Sequence, residues 1–204
     1  MSTKIAIIDY GIGNITSIQN SLNKIDVVNK VIQDPEELNN FTHIILPGVG
    51  SFKAAMTAII NKSWDCKIKE NVILKKKPIL GICLGMQLLF EKGYENGETD
   101  GLGLVKGEVV KINEENIKIP HLGWNNLEDS NQNSLLTNLN NFPDFYFAHS
   151  YHVLPIDEKI IISYVIYGKK IVAVVAENNI YGTQFHPEKS QDNGMKLLLN
   201  FSNL

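Results

Sequence analysis

Little in this chain points to an oxidising compartment, a membrane or a polyanion. Cysteine occurs only at Cys66 and Cys83, too sparsely for a disulfide framework. No apolar run approaches the ~20 residues that span a bilayer. Met1–Asp9 holds one lysine ahead of a β-branched run and lacks the layout of a signal peptide, so a cytoplasmic location is expected. Positive charge is not in surplus either: the net charge is −3. The one basic cluster, Lys75-Lys76-Lys77, reads as the solvated end of a helix, which argues against a nucleic-acid partner. His43, His121, His149, His152 and His186 show no ligand spacing, so neither a metal nor another cofactor is expected. Repeats and low-complexity linkers are missing too. With 204 residues, 44% hydrophobic and 20% charged, the chain reads as one globular domain over 1–204.

What is present is an alternation. Lys4–Asp9, Val27–Ile32, His43–Leu46 and Pro78–Ile82 are short apolar runs that read as buried parallel strands. Between them lie helical stretches: Ile15 to Ile25, a start at Asp34-Pro35-Glu36, Phe52–Ile60, and a segment near Ile68–Lys76. Leu84–Glu91 reads as a further helix. This order predicts an α/β fold with an open, mostly parallel sheet and helices on both faces. The C-terminal half is different. Glu108–Ile112, Phe145–Ala148, His152–Leu154, Ile160–Ile166, Ile171–Ala176 and Ile180–Gln184 read as short strands, mixed or antiparallel additions to the sheet. A closing helix is expected over Asp192–Ser202.

The strongest chemical signal is Gly81-Ile82-Cys83-Leu84-Gly85 at a strand-to-helix junction. A sharp turn there lifts the sulfur above the sheet, and the glycines remove side chains that would crowd it. The following helix points its N-terminus at the sulfur, favouring thiolate, and its first amides can face an oxyanion. The alternative is a small buried cysteine at a Gly-rich turn. Gln184-Phe185-His186-Pro187-Glu188 offers a histidine with a carboxylate two residues on, which suits a base that is oriented by a third group; a surface His-Pro-Glu turn is the alternative. Pro47-Gly48-Val49-Gly50-Ser51 follows another expected strand. Ligands of open α/β sheets gather at the carboxyl ends of strands, so the three loops can share one crevice. An ordinary βα connection is the alternative for the third.

Taken together, these segments resemble the class I glutamine amidotransferases: the Gly81–Gly85 elbow runs on into Met86-Gln87, and the chain closes on His186-Pro187-Glu188. The resemblance implies the flavodoxin-like glutaminase fold. A narrower likeness covers nearly the whole chain. Asp9-Tyr10-Gly11-Ile12-Gly13-Asn14, Pro120-His121-Leu122-Gly123-Trp124-Asn125 and Phe147-Ala148-His149-Ser150-Tyr151 are similar to the branch that serves as glutaminase subunit in imidazole glycerol phosphate synthases. A related branch supplies ammonia to sugar amidotransferases of surface-polysaccharide biosynthesis; the tail from Glu188 to Leu198, and His152, are similar to that branch.

By this resemblance, Cys83 attacks the side-chain carbonyl of glutamine, His186 moves the proton and Glu188 orients it. Gly48, Val49, Gly50 and Leu84 frame the oxyanion, while Gln87, His149, Ser150 and Tyr151 hold the substrate. Ammonia would pass to a separate (β/α)8 cyclase subunit in a heterodimer that makes imidazole glycerol phosphate and AICAR in histidine biosynthesis. Asn14, Trp124, Tyr146 and Lys189 match positions at that subunit interface. Trp124 and Tyr146 read equally as core aromatics, and Lys189 as a solvated charge. A cysteine peptidase would also carry an elbow cysteine, without the Gly-Met-Gln continuation or the His-Pro-Glu ending.

Overall fold

The first strand sorts its own side chains. In the computed structural model, which describes residues 3–114, 117–128, 131–140 and 143–204, β1 (Ile5–Ile8) is buried at every position. Ala6 and Ile8 enter one apolar cluster and Ile5 and Ile7 the other, as the two-residue side-chain period of a strand requires. Both faces are therefore covered. Met1 and Ser2 of the Met1–Asp9 stretch lie outside the described residues.

The chain then runs through α1 (Ile15–Lys24), β2 (Asn29–Ile32), a 3-10 turn at Pro35–Asn40 and β3 (His43–Leu46). Next come α2 (Phe52–Asn61), α3 (Trp64–Lys69) with a π-helical continuation over Glu70–Leu74, β4 (Ile79–Ile82) and α4 (Leu84–Leu88). β5 (Phe90–Gly93), β6 (Thr99–Asp100), β7 (Val105–Lys111), β8 (His121–Asn126), β9 (Asp144–His149) and β10 (Tyr151–Pro155) follow, then β11 (Ile161–Tyr167), β12 (Lys169–Glu177), β13 (Ile180–Thr183) and α5 (Gln191–Ser202).

The main sheet has the order β11-β12-β13-β4-β3-β1-β2. From β13 to β2 every neighbour is parallel, while β11, β12 and β13 pair antiparallel. α2, α3 and α4 contribute Met56, Trp64 and Met86 to one face. α1 and α5 contribute Ile18, Leu22 and Leu197 to the other. The expected α/β class and two-sided cover are present.

Two expectations need correction. Only part of the C-terminal half adds to the main sheet: β10-β7-β5-β6 and β8-β9 form separate small sheets. And the helix after Cys83 stops at Leu88, not Glu91, because Phe90 pairs with Val105 in a parallel ladder. Local periodicity sees Leu88, Leu89 and Phe90 as one apolar run; the strand partner lies fifteen residues on.

The strand-end loops approach so closely that glycine is obligatory at the elbow. A Cβ on Gly85 would lie 1.9 Å from the Leu46 carbonyl oxygen, and one on Gly81 would lie 2.6 Å from the Gly85 carbonyl. Backbone cannot yield as a side chain does. Gly85→Ala is accordingly expected to destabilise the fold by about 3 kcal/mol, the upper range for overpacking. Urea unfolding measures it; an unchanged midpoint would show that α4 shifts freely.

Candidate active site

Four loops meet at the carboxyl edge of the parallel strands. They follow β1, β3, β4 and β13, and carry Tyr10, the Pro47–Ser51 segment, Cys83 and His186. The crevice expected at this edge is there, with a volume of about 380 Å³, and its lining includes Val49, Cys83, Gln87, His149 and His186.

Cys83 holds φ 54 and ψ −111, a sparsely populated backbone conformation that costs about 1–3 kcal/mol unless its surroundings enforce it. Its amide donates to the Thr183 carbonyl at 2.7 Å, tying the elbow to β13. The side chain is 6% exposed and the sulfur lines the crevice. Gln184 Nε2 approaches that sulfur at 3.8 Å.

His186 stands on the turn between β13 and α5. Its amide donates to Tyr146 O, and Ser190 Oγ donates to its carbonyl at 2.6 Å, so the turn is laced to β9 and α5. Nδ1 meets Glu188 Oε1 at 2.8 Å, and the Glu188 side chain is fully buried. Asn14 Nδ2 donates to the same oxygen at 3.3 Å, while Oε2 is buried without a partner among the described residues. Burial alone would push the imidazole down. Hydrogen bonds and charge from Cys83 and Glu188 outweigh it and hold His186 up at about 10, so the ring is an imidazolium at neutral pH, beside the Cys83 sulfur.

The Pro47–Ser51 loop is pinned at one end and open at the other. Tyr10 Oη donates to the Pro47 carbonyl at 2.9 Å; burial, then the Cys83 charge, push that phenol up, so it remains a donor. A Cβ on Gly48 would lie 2.7 Å from the Gly85 amide nitrogen, whereas Gly50, at φ +82, has nothing within 4 Å. Val49 is 38% exposed. Leu84 begins α4 on the floor of the crevice.

Across the crevice, Gln87 Nε2 donates to Tyr151 O at 2.9 Å and to Gln184 Oε1 at 3.1 Å. His149, Ser150 and Tyr151 form the opposing wall. Asn14, Trp124, Tyr146 and Lys189 gather beside the mouth. Trp124 and Tyr146 are edge-to-face at 6.1 Å, and Lys189 Nζ lies 5.6 Å from the Tyr146 ring centroid. Trp124 is 46% exposed and Leu122 next to it 64%, so the core-aromatic alternative for Trp124 does not hold. Val49, Gly50, Cys83, Leu84, Gln87, His149, Ser150, Tyr151, His186 and Lys189 thus share the crevice, with Glu188 and Asn14 behind His186 and with Trp124 and Tyr146 packed outside it next to Lys189.

It also adds two. Gln184, quoted only as the start of its motif, links Gln87 to the sulfur. Glu95 lines the crevice while its Oε2 accepts from the Phe52 amide at 2.7 Å, capping α2 from the small sheet. Gln184 lay within a motif already singled out; Glu95 had no signal at all, because its partner amide is 43 residues away. No group of three or more His, Cys, Asp or Glu side chains among the described residues is arranged to hold a metal ion, and no helix among them is long and apolar enough to cross a membrane.

The model of the family "Glutamine amidotransferase class-I" matches residues 6–203. Imidazole glycerol phosphate synthase subunit HisH 1 of Campylobacter jejuni subsp. jejuni serotype O:23/36 (strain 81-176) is 49% identical over 201 residues, covering 98% of this chain and 100% of that protein. Subunit HisH of Sulfurimonas denitrificans is 46% identical over 202 residues, with 97% of each chain covered. Among solved structures, PurLQS from Thermotoga maritima superposes with a TM-score of 0.77 at 20% identity, over 100% of this chain and 99% of that one; this likeness speaks for the fold.

Burial sets the other histidines apart from His186. It holds His121, His149 and His152 down, to about 4, about 3 and about 4, with the Lys169 charge adding to the effect on His152. The unfolded chain protonates these rings near 6.5 and the folded chain does not, so their contribution is present above that value and lost as pH falls. His186 is the reverse: its contribution is complete below 6.5 and lost as pH rises through about 10. Stability should therefore peak near neutrality. Replacing His152 with Leu should flatten the acid limb of urea midpoints between about pH 5 and 6.5, by about one proton fewer taken up on unfolding. An unaltered slope would mean that this ring is already protonated in the fold.

Proposed function

The chain belongs to the class-I glutamine amidotransferases, and on that premise we propose that it is a glutaminase subunit that releases ammonia from glutamine through Cys83, His186 and Glu188 for a separate synthase. The observation that carries this reading is the elbow cysteine beside an imidazolium that Glu188 grips at 2.8 Å. The Cys83 thiolate adds to the carboxamide carbon of glutamine, giving a tetrahedral oxyanion. Collapse breaks the carbon–nitrogen bond as the His186 imidazolium gives its proton to the leaving nitrogen, so ammonia departs and a glutamyl thioester remains. Neutral His186 then takes a proton from water, whose oxygen attacks the thioester. Thiolate leaves, glutamate is released and the ion pair is restored.

Amides around Val49 and from Leu84 face the developing oxyanion, a placement of donors worth ~10²–10³-fold each. Glutamine lies between this loop and the Ser150–Tyr151 edge, with Gln87 behind it and the Glu95 carboxylate available to its ammonium group. No cofactor takes part in these steps.

Ammonia is useful only where an acceptor waits. The chain contains no arginine, the side chain best suited to bidentate phosphate recognition, and no phosphate-binding fingerprint. The acceptor then belongs to a partner, a (β/α)8 cyclase that forms a heterodimer with this chain and makes imidazole glycerol phosphate and AICAR in histidine biosynthesis, in the cytoplasm. The names of the relatives support that branch over supply to a sugar amidotransferase. Trp124, Tyr146, Lys189 and Asn14 form the docking face, and Asn14 also touches the triad carboxylate.

Cys83→Ala should abolish glutamine hydrolysis and leave synthesis from added ammonia intact, while His186→Ala should cost ~10²–10⁴-fold in kcat and Glu188→Gln less. Glutaminase assays with and without ammonia check all three. A Glu188 variant slower than the His186 variant would reverse their roles.

The loop predicts gating as well. Val49 sits between two glycines, and a resting peptide that turns a carbonyl to the oxyanion site would silence it by ~10²–10³-fold. Glutaminase kcat should rise when synthase is added and again with its sugar-phosphate ligand; equal values in all three states would sink the gate and spare the triad.

A further inference from the structure

Outside the triad, one chain of hydrogen bonds has its direction fixed by what each acceptor can be. His149 Nδ1 lies 2.9 Å from the Tyr151 carbonyl oxygen. A carbonyl only accepts, so Nδ1 carries the proton. Burial keeps the ring neutral, so Nε2 is left with a lone pair, and His121 Nδ1 lies 3.1 Å from it. His121 is therefore the donor. The same Tyr151 carbonyl accepts from Gln87 Nε2, whose amide group also reaches Gln184 Oε1. That contact turns the Gln184 amide nitrogen toward the Cys83 sulfur.

The ring at the head of this chain is held by its faces. His121 stacks on Phe147 with centroids 4.6 Å apart and on Tyr167 at 4.0 Å, with interplanar angles of 17° and 19°. It is 2% exposed and does not line the crevice. The two flanking rings leave His121 little freedom except in its own plane, where Nδ1 points at His149.

We propose that His121 is a positioning residue for glutamine binding, which engages His149 Nε2 and so holds the ring with Nδ1–H on the Tyr151 carbonyl, where His149 and Gln87 together pin it. Without this donor, His149 Nε2 is a buried acceptor with no partner, so the ring gains by turning toward water or another donor. Such a turn takes Nδ1–H off the Tyr151 carbonyl, and the Ser150–Tyr151 wall loses one of its two restraints. The inference rests on the glutaminase reading, and it locates a binding determinant one shell behind the cleft.

The test uses the chain in complex with its synthase. His121→Phe keeps the aromatic stack and deletes the donor; His121→Asn offers an amide nitrogen near the Nδ1 position. His121→Phe should raise the KM for glutamine about tenfold, the worth of one well-made hydrogen bond, with kcat changed by less than about threefold, and ammonia-dependent synthesis and Cys83 alkylation should keep their rates. His121→Asn should recover most of the KM. An unchanged KM in His121→Phe, or a loss confined to kcat, overturns the proposal while the wild type still hydrolyses glutamine. A wild type that does not hydrolyse glutamine overturns the functional reading instead. Nitrogen-15 NMR of the wild-type histidines decides independently of any variant's folding: His149 should be neutral with its proton on Nδ1, and a proton on Nε2 overturns the relay.

Discussion

The geometry of the site depends on two places where backbone meets backbone with no room for a methyl group. Gly85 lies under the Leu46 carbonyl, 1.9 Å from where its Cβ would be, and Gly194 lies under the Pro187 carbonyl at 1.8 Å. The first contact brings the start of α4 against the end of β3, so Cys83 and the Pro47–Ser51 loop are neighbours by necessity. The second seats α5 against the turn that carries His186. Cys83 and His186, the proposed nucleophile and base, are thus placed by main chain on rigid elements, and side-chain rotamers make only the last adjustment. Such placement is what a catalytic geometry tolerant of about half an ångström needs. The unusual backbone at Cys83 persists because the packing around it leaves nothing else.

With positions fixed, burial sorts the charges. A lone ion in such surroundings would neutralise itself, and a paired one survives. His186 has Glu188 on one side and the sulfur on the other, and stays charged. His121 and His149 have aromatic rings, a carbonyl and each other, His152 has burial alone with neither ring nitrogen partnered among the described residues, and all three stay neutral. The consequence is a division of labour among chemically identical side chains. In the proposed reaction charged His186 holds a proton ready for a leaving nitrogen, while neutral His121 and His149, with one donor and one acceptor each, transmit hydrogen-bond direction.

Much of this was legible in the residues. The apolar runs at Ile5–Ile8, His43–Leu46 and Ile79–Ile82 are strands because they are short, β-branched and stopped by turn residues, and those signals are local. The Gly81–Gly85 elbow and the His186–Glu188 turn are local too, and so were found. What escaped was set at a distance. Phe90 leaves the helix to pair with Val105; His121–Asn126 is a strand only because β9 lies beside it, and its Gly123 and Asn125 argue against strand on propensity. Glu95 matters through an amide of α2. Each is decided by a partner that sequence spacing does not reveal.

The β8-β9 ribbon shows how far such a distant partner reaches. Its register pairs His121 with His149 and Gly123 with Phe147, and, between them, Leu122 with Ala148 and Trp124 with Tyr146. Alternation then sorts the side chains: His121, Phe147 and His149 are buried beneath the ribbon, while Leu122 and Trp124 stand exposed on its other face. A slip of one residue would exchange the two sets, so the register is strongly specified. Docking on the outer set bears on the same two strands that hold the inner set. Tyr146 carries this further, since its carbonyl accepts from the His186 amide and its amide donates to Ser190 Oγ. The ribbon is therefore a physical connection between the proposed docking face and the proposed glutamine site, and Asn14, which touches Glu188 from the loop after β1, would be a second. Both contacts end on the turn that carries His186 and Glu188, so a subunit docked on the proposed face would bias that turn only as far as its affinity differs between the turn's two arrangements.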